Sequence, residues 1–431
     1  MRNIIGDMKD TKDAKELIGF LESSPSTFHV VSNMAAALEK AGFREIREEE
    51  RFSLGPGDSC YVVRGGSSII ALRVPRKRFS SMHIVSAHTD SPCFKMKPEP
   101  VDTGSGSYST LNVETYGGLT LNTWFDRPLS IAGRAFTRTD EGISCHLVDF
   151  GRDLLCIPSL AIHQNRNVND GVKISVQKEM RPLFSTDLDK GLFLDLLSRE
   201  LEVEGKDILD WDLYLYNRTS PCIWGADDEF ISAARLDDIM CAHAAFRALV
   251  ETRPADSLSM IALFDNEEVG SSSRQGALSD FLANTCDRIL GALGYDGEEK
   301  CMIAASSMVV SADNAHALHP NYPEKCDPTN RPVMNKGVVI KYAANQKYTT
   351  DGYTASYLKD LMDRNGIPYQ VFVNNSDVTG GSTLGNLSIR RLSIPSIDVG
   401  LAQLAMHSSY ETAGVEDCRY AKDLFRAFLS L

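Results

Sequence analysis

The 431-residue sequence lacks the long apolar runs that mark membrane spans and export signals. No stretch approaches the roughly 20 apolar residues that a transmembrane helix needs, and the first seven residues lack the apolar core of a signal peptide. The ten cysteines are scattered without a Cys-x-x-Cys pair, a pattern typical of reduced thiols rather than of a disulfide framework. These absences predict an unexported protein of the cytoplasm that does not bind membranes.

Basic residues are fewer than acidic ones. This charge balance and the chain length together limit the classes of protein that the sequence can encode. Forty-five lysines and arginines stand against 58 acidic residues, which gives a formal net charge of −13. This excess disfavours nucleic-acid binding, although an acidic protein can still contain locally basic pockets. At 431 residues the chain exceeds what one core usually organises, so we expect two domains.

What the sequence does contain is an alternation of strand and helix patterns towards both ends of the chain. Apolar strand-like runs occupy 82–86, Leu258–Phe264 and Met308–Ala312, and helical spacing occupies 238–251 and 354–365. Such alternation predicts an α/β fold, in which helices cover a mixed, largely parallel sheet.

The middle of the chain has a different texture. It is rich in Gly, Ser, Thr and aromatic residues, with strand-like runs at 119–125 and 131–136 and little helical periodicity. We therefore expect a catalytic domain built from residues 1–91 and 234–431, interrupted by a β-rich insert at 92–233.

Two adjacent acids follow one of the apolar strands directly. The run Leu258–Phe264 leads into DNEEVG (265–270), which places carboxylates at the carboxyl end of a strand, where open α/β sheets gather their ligands. One of the pair, Glu268, can bind metal while its neighbour, Glu267, moves protons. By itself such a pair is more often a solvated loop.

A second strand end carries a histidine and an aspartate. The strand predicted over 82–86 runs into His88 and Asp90, separated by one residue. We expect His88 to bind metal and Asp90 to orient it, because a metal-bound imidazole commonly donates its other N–H to a carboxylate. The alternative is a hydrogen-bonded structural histidine, which is the commoner role of a lone histidine.

Three further residues lie at element ends or in the loops that follow them. Asp237 stands at the start of a predicted helix, Asp313 ends the strand Met308–Ala312, and His407 follows a strand predicted over 393–400. Alone, Asp237 is more naturally a helix cap, and the other two carry no useful signal. Because they are placed together beside strand ends, we interpret all three as candidate site residues.

Together these residues form a donor set for divalent metal ions. The candidate ligands are two imidazoles and three carboxylates, namely His88, Asp237, Glu268, Asp313 and His407. This mixture suits zinc, cobalt or manganese, and one bridging carboxylate would let the set bind two ions. In two-metal hydrolases the ions activate water and polarise the scissile carbonyl, which leaves Glu267 as the acid that carries protons.

Motifs along nearly the whole chain resemble those of the M18 aminopeptidases, whose best-known members are the aspartyl aminopeptidases. The motifs are SAHTDSP (86–92), GGLTLNTWFDRPLSIAGR (117–134), IPSLAIH (157–163), RLDD (235–238), DNEEVGS (265–271), SADNAHALHPNY (311–322), NKGVVIKYAANQKY (335–348), GGSTLG (380–385) and LAMHS (404–408). The resemblance implies a zinc-exopeptidase-like fold. It also implies an enzyme that removes N-terminal residues from peptides with a free amino terminus, preferring Asp or Glu.

The resemblance further implies two zinc sites that share Asp237. The ligand sets are His88, Asp237 and Asp313 for one ion, and Asp237, Glu268 and His407 for the other. Glu267 becomes the general base, which takes a proton from water and later returns it to the leaving amine.

The insert and three other residues also acquire roles from the resemblance. In relatives the insert is a dimerisation domain that helps to build a tetrahedral homo-dodecamer. The histidine matching His163 reaches a neighbouring subunit's active site, where it can stabilise the oxyanion, and the lysine matching Lys341 meets the acidic side chain of the substrate. Asp377, in a loop near the substrate, is a candidate to hold the free ammonium. Without the resemblance, a structural histidine, an exposed lysine and a turn aspartate are the commoner interpretations.

Two other functions remain open at this stage. A related zinc amidohydrolase, acting on N-acylated amino acids or on the carboxyl end of peptides, would use the same ligands and base. A non-catalytic, metal-stabilised assembly protein would need the ligands but not the uncoordinated Glu267, whose presence argues against it.

Overall fold

The computed structural model of the chain describes residues 10–431, apart from 172, 254, 379, 382 and 386–391. Its helices are α1 (Lys12–Glu22), α2 (Thr27–Lys40), α3 (Val176–Glu179), α4 (Leu192–Leu201), α5 (Leu236–Glu251), α6 (Phe281–Ala292), α7 (Gly297–Ser306), α8 (Gly352–Asn365) and α9 (Val415–Leu429). Its strands are β1 (Arg44–Glu45), β2 (Ser59–Arg64), β3 (Ser68–Arg73), β4 (Met82–His88), β5 (Cys93–Asp102), β6 (Ser109–Tyr116), β7 (Leu129–Thr139), β8 (Gly142–Asp149), β9 (Leu183–Ser185), β10 (Ile208–Asn217), β11 (Cys222–Trp224), β12 (Phe230–Ala233), β13 (Leu258–Phe264), β14 (Met308–Ala312), β15 (Ala315–His316), β16 (Val338–Tyr342), β17 (Tyr369–Val373), β18 (Ser396–Gly400), β19 (Ala402–Leu404) and β20 (Glu411–Gly414).

The largest sheet has nine strands in the order β1-β2-β3-β13-β4-β14-β18-β16-β17. Five of its neighbouring pairs are parallel and three are antiparallel. The mixed, largely parallel sheet predicted from the sequence is therefore confirmed. Its central strands β13, β4, β14 and β18 are buried along their whole length, as expected when both faces are covered.

Alternate residues of β13, β4 and β14 enter two separate hydrophobic cores. In β13, Ile261 and Leu263 join a core that also contains side chains of α1, α2, α5, α8 and α9. Leu258, Met260 and Ala262 point to the opposite face and join a core with α6 and α7. This division follows from strand geometry, because successive side chains of a strand point to opposite faces of the sheet. One face therefore packs against α1, α2, α5, α8 and α9, and the other packs against α6 and α7.

Local sequence determines where some of the helices begin and end. Asp351 caps α8, because its side chain accepts a hydrogen bond of 2.8 Å from the backbone N–H of Thr354. The helix ends at Gly366, which adopts the left-handed conformation with φ of 64°. The helix predicted over 354–365 is thus confirmed and begins two residues earlier.

The β-rich middle of the chain forms a second sheet, with six strands in the order β8-β7-β10-β5-β6-β9. All its pairings are antiparallel, and it has a core of its own that includes Phe94, Trp124 and Phe193. The strands that enter and leave this unit, β5 and β10, are direct neighbours. The chain therefore returns close to the point from which it departed.

A third sheet, of order β11-β12-β20-β19-β15, joins the segment 222–233 to the C-terminal part of the chain. The prediction from the sequence places residues 222–233 in the insert. In the structure β11 pairs with β12, and β12 pairs with β20. The strand predicted over 119–125 is wrong, because Leu121–Trp124 forms a single 3-10 turn. Its apolar and β-branched residues suit a strand, but the N–H of Thr120 donates instead to the carbonyl of His407 at 3.0 Å.

None of the described helices is both long enough and apolar enough to cross a lipid bilayer.

Candidate metal centre

The predicted ligands meet at one edge of the nine-stranded sheet. Strands β13, β4 and β14 lie side by side and run parallel, so their carboxyl ends reach the same edge. The start of α5 and the loop between β19 and β20 approach that edge from the helix layer and the third sheet. The acidic and histidine residues carried by these elements are His88, Asp237, Glu267, Glu268, Asp313 and His407.

Unusual backbone conformations turn the chain sharply at this edge. Arg235, Asn266 and His407 have φ values of 64°, 63° and 65°, in the left-handed region that non-glycine residues rarely adopt. Asn266 directly precedes Glu267, Arg235 lies two residues before Asp237, and His407 is itself a candidate ligand. Clustering of such residues is typical of functional sites, where the surrounding structure enforces the conformation.

Asp237 occupies the centre of the cluster. Its Oδ1 lies 3.6 Å from Nε2 of His88, and its Oδ2 lies 3.6 Å from Nε2 of His407. Nε2 of His407 is also 3.3 Å from Oε2 of Glu268. Each oxygen of Asp237 thus faces a different imidazole, which is the arrangement that a bridging carboxylate requires.

The donor atoms fit divalent metal ions in number, type and spacing. Two overlapping groups have ligand atoms within 4.8 Å of one another: His88, Asp237 and Glu268, and Asp237, Asp238 and Asp313. Oδ1 of Asp237 and Oδ1 of Asp238 are buried without a hydrogen-bond partner in the described part of the chain. A buried carboxylate oxygen without a donor is costly, and a bound cation would remove that cost. Nitrogen and oxygen donors of this kind suit zinc.

The carboxylate of Asp90 fixes the backbone of Glu267 and Glu268. Its Oδ1 accepts a hydrogen bond from the N–H of Glu267 at 3.1 Å, and its Oδ2 accepts from the N–H of Glu268 at 3.2 Å. The hydroxyl of Tyr116 donates to Oδ2 at 2.7 Å. The imidazole Nδ1 of His88 lies closer to the carbonyl oxygen of Asp90, at 3.0 Å, than to its carboxylate, at 3.5 Å. Asp90 therefore orients His88 chiefly through its backbone and positions Glu267 through its side chain.

Glu411 plays a similar part for two of the candidate ligands. Its Oε2 accepts from the N–H of Asp237 at 3.0 Å, and its Oε1 accepts from the N–H of His407 at 2.8 Å. Nδ1 of His407 lies 2.7 Å from the carbonyl oxygen of Gly118, so Nδ1 carries the proton. Nε2 of His407 is then the unprotonated nitrogen and is available to a metal ion.

Burial and mutual repulsion shift the pKa values of these acids upwards. Burial, together with the neighbouring carboxylates and against an opposing effect of His88, raises the pKa of Glu267 to about 8. The pKa of Glu268 lies well above its ordinary value for the same two reasons. Burial lowers the pKa of His88, but the nearby carboxylates of Asp237, Asp90 and Asp238 outweigh it and hold the pKa well above normal. A divalent cation among these groups would favour the charged forms of the acids and the neutral form of His88.

Lys341 is buried next to Asp313 rather than exposed to solvent. Its Nζ is 3.6 Å from Oδ2 of Asp313 and 5.4 Å from the centre of the Tyr348 ring, and the residue is only 2% exposed. This buried cation compensates part of the local negative charge.

His163 and Asp377 lie away from the cluster in exposed loops. His163 belongs to a segment whose apolar side chains Leu160 and Ile162 are 58% and 48% exposed. Asp377 sits in a turn, where its own N–H donates to Oδ1 of Asn375 at 3.0 Å. In the part of the chain that the structure describes, neither has a polar contact with a candidate ligand.

Sequence reasoning missed Tyr116, Asp238 and Glu411. Asp238 and Tyr116 lie within or beside motifs that were recognised, at RLDD and before GGLTLN, so their place near the site had a signal. Glu411 had none, because it approaches the ligands from a different sheet and follows no strand end in the sequence pattern.

A cleft of about 510 Å³ lies beside chain segments that carry two of the candidate ligands. Ala405 and His316, which line it, lie two residues before His407 and three residues after Asp313. His319 and Lys325 are also part of its wall. The wall of the cleft is therefore built partly from the segments that precede His407 and follow Asp313.

Comparison with known proteins gives a consistent picture. Residues 20–429 match the family model described as aminopeptidase I zinc metalloprotease (M18). A Clostridium novyi protein named probable M18 family aminopeptidase 2 is 42% identical over 428 residues, which cover 97% of this chain and 99% of that protein. A Pseudomonas aeruginosa protein of the same name is 39% identical over 420 residues, which cover 96% of each.

Solved structures of similar fold extend over most of the chain. The cryo-EM structure of the Ape4 and Nbr1 complex contains a chain with a TM-score of 0.94 and 33% identity, covering 97% of this chain and 86% of that one. The S. cerevisiae mApe1 dodecamer gives a TM-score of 0.86 and 28% identity, covering 97% and 96%.

Proposed function

Because this chain belongs to the M18 family of zinc metallo-aminopeptidases, we propose that it hydrolyses the first peptide bond of its substrates with two zinc ions held around Asp237. The observation that carries the proposal is the position of Asp237, whose two oxygens face His88 and His407 beside the uncoordinated Glu267. A single-ion site would not need a carboxylate directed towards two imidazoles.

We assign the ligands as the sequence predicted them. In this assignment His88 and Asp313 would complete one site with Asp237, and Glu268 and His407 would complete the other. Cobalt or manganese would suit the same donors. When bound, zinc would supply a Lewis acid for the scissile carbonyl and lower the pKa of water. Asp238, which lies within reach of Asp237 and Asp313, offers a further carboxylate oxygen beside Asp313.

Glu267 is the proposed general base. It is half-buried at the rim of the cluster, and the carboxylate of Asp90 fixes its backbone N–H. From there it takes a proton from the attacking water and returns it to the leaving amine. Surroundings that raise the pKa of this carboxyl group help it to hold the transferred proton between these two steps.

A preference for N-terminal Asp or Glu is the finer part of the proposal. The cleft beside the centre presents His316, His319 and Lys325, which favour an acidic side chain over a basic one. Lys341 remains the proposed direct contact. Asp313 faces one side of its ammonium group, which carries three N–H donors. Asp377 remains a proposed contact for the substrate's free ammonium.

The proposed assembly is a homo-dodecamer in which His163 completes the site of a neighbouring subunit. Its support is the exposure of His163 with Leu160 and Ile162 on a loop of the β-rich unit, together with the similar fold of the mApe1 dodecamer. Residues 92–233 would supply the dimerisation domain of the assembly. We also propose a cytoplasmic location, since all ten cysteines are free.

The experiment that tests the function compares release rates of Asp, Glu, Leu and Lys from otherwise identical short peptides. Rates are measured on chelated protein and again after zinc, cobalt or manganese is restored. Metal-dependent release that favours Asp and Glu is the expected result. Release that favours Leu or Lys would support the aminopeptidase reaction but would refute the role of Lys341 in selecting acidic side chains.

The same assay separates the two alternatives. Cleavage of N-acetylated peptides at rates equal to the free peptides would favour the amidohydrolase. No cleavage with any metal would favour the non-catalytic assembly protein.

A further inference from the structure

Asp398 is a buried acid that the proposed reaction does not use. It lies in the middle of β18 and is completely buried. Ile397 and Val399, on either side of it, join the core shared with α5, α8 and α9, so Asp398 turns to the opposite face of the sheet. A buried carboxylate is costly unless hydrogen bonds or a cation satisfy it, and its partners therefore indicate its role.

Hydrogen bonds from two separate loops satisfy this carboxylate. Oδ2 of Asp398 accepts from the backbone N–H of Thr349 at 2.5 Å and from the hydroxyl of the same residue at 2.8 Å. Oδ1 accepts from the hydroxyl of Thr383 at 2.5 Å. The backbone N–H of Asp398 donates to the hydroxyl oxygen of Thr350 at 3.0 Å. One residue of the sheet therefore fastens both loops, and the second of them carries the GGSTLG motif (380–385).

The two loops are also joined to each other and packed closely on the carboxylate. Nζ of Lys347 donates to the carbonyl of Gly380 at 2.6 Å. An added Cβ at Gly385 would lie 2.6 Å from Oδ1 of Asp398. The GGSTLG motif therefore has a fixed position on the sheet rather than a loose one above it.

The lysine proposed to select acidic substrates stands beside Asp398. Ile340 lies opposite Val399 in the antiparallel pairing of β16 with β18, so Lys341 and Asp398, one residue further along, turn to the same face of the sheet. In the described structure these two side chains do not form an ion pair, and the carboxylate within reach of Nζ is that of Asp313, at 3.6 Å. The hydrogen bonds of Asp398 thus go to the loops and not to the ammonium group.

Two further observations connect Lys341 to the loops that Asp398 fastens. Tyr348, whose ring centre is 5.4 Å from Nζ of Lys341, directly precedes Thr349 in the chain. The stem of Lys341 passes Gly400, where an added Cβ would lie 3.0 Å from Cε. Burial lowers the pKa of Lys341, but nearby carboxylates outweigh it, and Asp398 is one of them. The position and the charge of this lysine therefore depend on the same surroundings.

We propose that Asp398 is the positioning residue for the selection of acidic N-terminal side chains. It does not touch the substrate. It holds the two loops beside Lys341, and its oxygens are occupied by threonine donors, which leaves the ammonium group to a substrate carboxylate. This role rests on the proposed function, because it requires both the preference for acidic side chains and their contact with Lys341.

The proposal predicts an effect on one class of substrate. A carboxylate side chain needs Nζ of Lys341 in a fixed place, because a charge-assisted hydrogen bond depends on geometry. A leucine side chain makes no such bond. Loss of a hydrogen bond to Asp398 should therefore raise KM for peptides with N-terminal Asp, and should leave kcat and the kinetics of Leu peptides unchanged.

Thr383→Val tests this prediction without altering the charge of the site. The change keeps the shape of the side chain and removes the hydroxyl that donates to Asp398. We expect KM for an Asp peptide to rise about 10-fold. Thr383→Ser keeps the donor and should restore the wild-type KM.

Thr252→Val is the matched control. Thr252 is a buried threonine whose hydroxyl donates to the carbonyl of Ala248 at 2.7 Å, at the end of α5 remote from Asp237. Thr252→Val and Thr383→Val each lose one buried hydrogen bond, so thermal unfolding should show similar decreases in Tm. A rise in KM for Asp peptides in Thr383→Val alone would then report the position of Lys341 rather than the stability of the fold.

Asp398→Asn separates position from charge. By electrostatics alone, removal of a negative charge beside Lys341 would strengthen the binding of an acidic side chain. Loss of position predicts the opposite, and we expect the ratio of kcat/KM for Asp peptides to kcat/KM for Leu peptides to fall about 10-fold. A higher ratio in Asp398→Asn would overturn the proposal.

The wild-type enzyme, measured with the same peptides, distinguishes the two levels of the proposal. If it prefers Asp, then an unchanged KM in Thr383→Val, or equal losses for Asp and Leu peptides, would refute the role of Asp398 alone. A wild-type enzyme without a preference for Asp would refute the proposed specificity of Lys341, and the role of Asp398 with it.

Discussion

At the scale of single residues, Glu267 and Glu268 are neighbours in the chain but have different surroundings. Glu268 lies 3.3 Å from Nε2 of His407 and within the cluster of candidate ligands. Glu267 stands outside the ligand groups and is half-buried. The division of labour predicted from DNEEVG therefore corresponds to two distinct positions rather than to two equivalent acids.

Glu267→Gln is expected to reduce kcat by about 10²–10⁴-fold, because an amide cannot accept the proton from water. Metal content, measured by elemental analysis of the purified variant, should stay at the wild-type level. Glu298→Gln is the matched control, since Glu298 is exposed in the first turn of α7. Normal turnover in Glu267→Gln would show that Glu267 is not the general base.

Glu411→Gln tests a residue that the sequence did not reveal. The carboxylate accepts from the backbone N–H groups of both Asp237 and His407, and an amide offers only one oxygen for the two. We expect zinc affinity to fall by about 10–100-fold, as is typical when an outer partner of metal ligands is lost. Competition with a chromophoric chelator measures this, with Glu416→Gln as the control. Unchanged affinity would show that Glu411 has only a packing role.

At the scale of elements, the sequence predicted those strands whose burial is continuous. Leu258–Phe264 and Met308–Ala312 were located without error, because a fully buried parallel strand is an unbroken apolar run. The third sheet was not foreseen, since pairing of 222–233 with residues near 411 joins segments far apart in the chain and leaves no local pattern. Glu411 was missed for the same reason, whereas ligands at the ends of predicted strands could be recognised.

The packing of helices on the sheet also predicts how stability depends on pH. Burial lowers the pKa of His243, which lies in α5 against Phe20 of α1, to about 3. The folded pKa lies below the unfolded value of about 6.5. This stabilisation is therefore present above pH 6.5 and is lost as pH falls towards 3, because only the unfolded chain gains the proton.

His243→Leu should consequently weaken the acid sensitivity of the fold. Between pH 7 and pH 5 the wild-type free energy of unfolding should fall by about 2 kcal/mol more than that of the variant. Urea denaturation at the two pH values, on chelated protein, measures the difference. His319→Leu, at a half-exposed position, should behave as the wild type does. Identical pH dependence in His243→Leu and wild type would show that His243 is protonated in the folded state.

At the scale of the whole molecule, the described structure of one chain does not account for His163. The residue is exposed on a loop of the β-rich unit and has no polar contact with the candidate ligands among the described residues. Its recognition depended on a motif, IPSLAIH, rather than on position in the fold. If the assembly brings this loop to a neighbouring subunit, the catalytic unit is a pair of chains, and the consequence can be measured.

His163→Ala should lower kcat by about 10²-fold in an oligomer of unchanged size, because one donor to the oxyanion is lost. Sedimentation verifies the size, and steady-state kinetics with an acidic N-terminal peptide measure kcat. The sharper test mixes this variant with Glu267→Gln by dissociating and reassembling the two together. Each variant alone has only defective sites. In random mixed oligomers about one quarter of the sites combine Glu267 of one chain with His163 of another. Recovery of that fraction of wild-type activity would place His163 in the partner's site, whereas mixtures no more active than the separate variants would confine both residues to one chain.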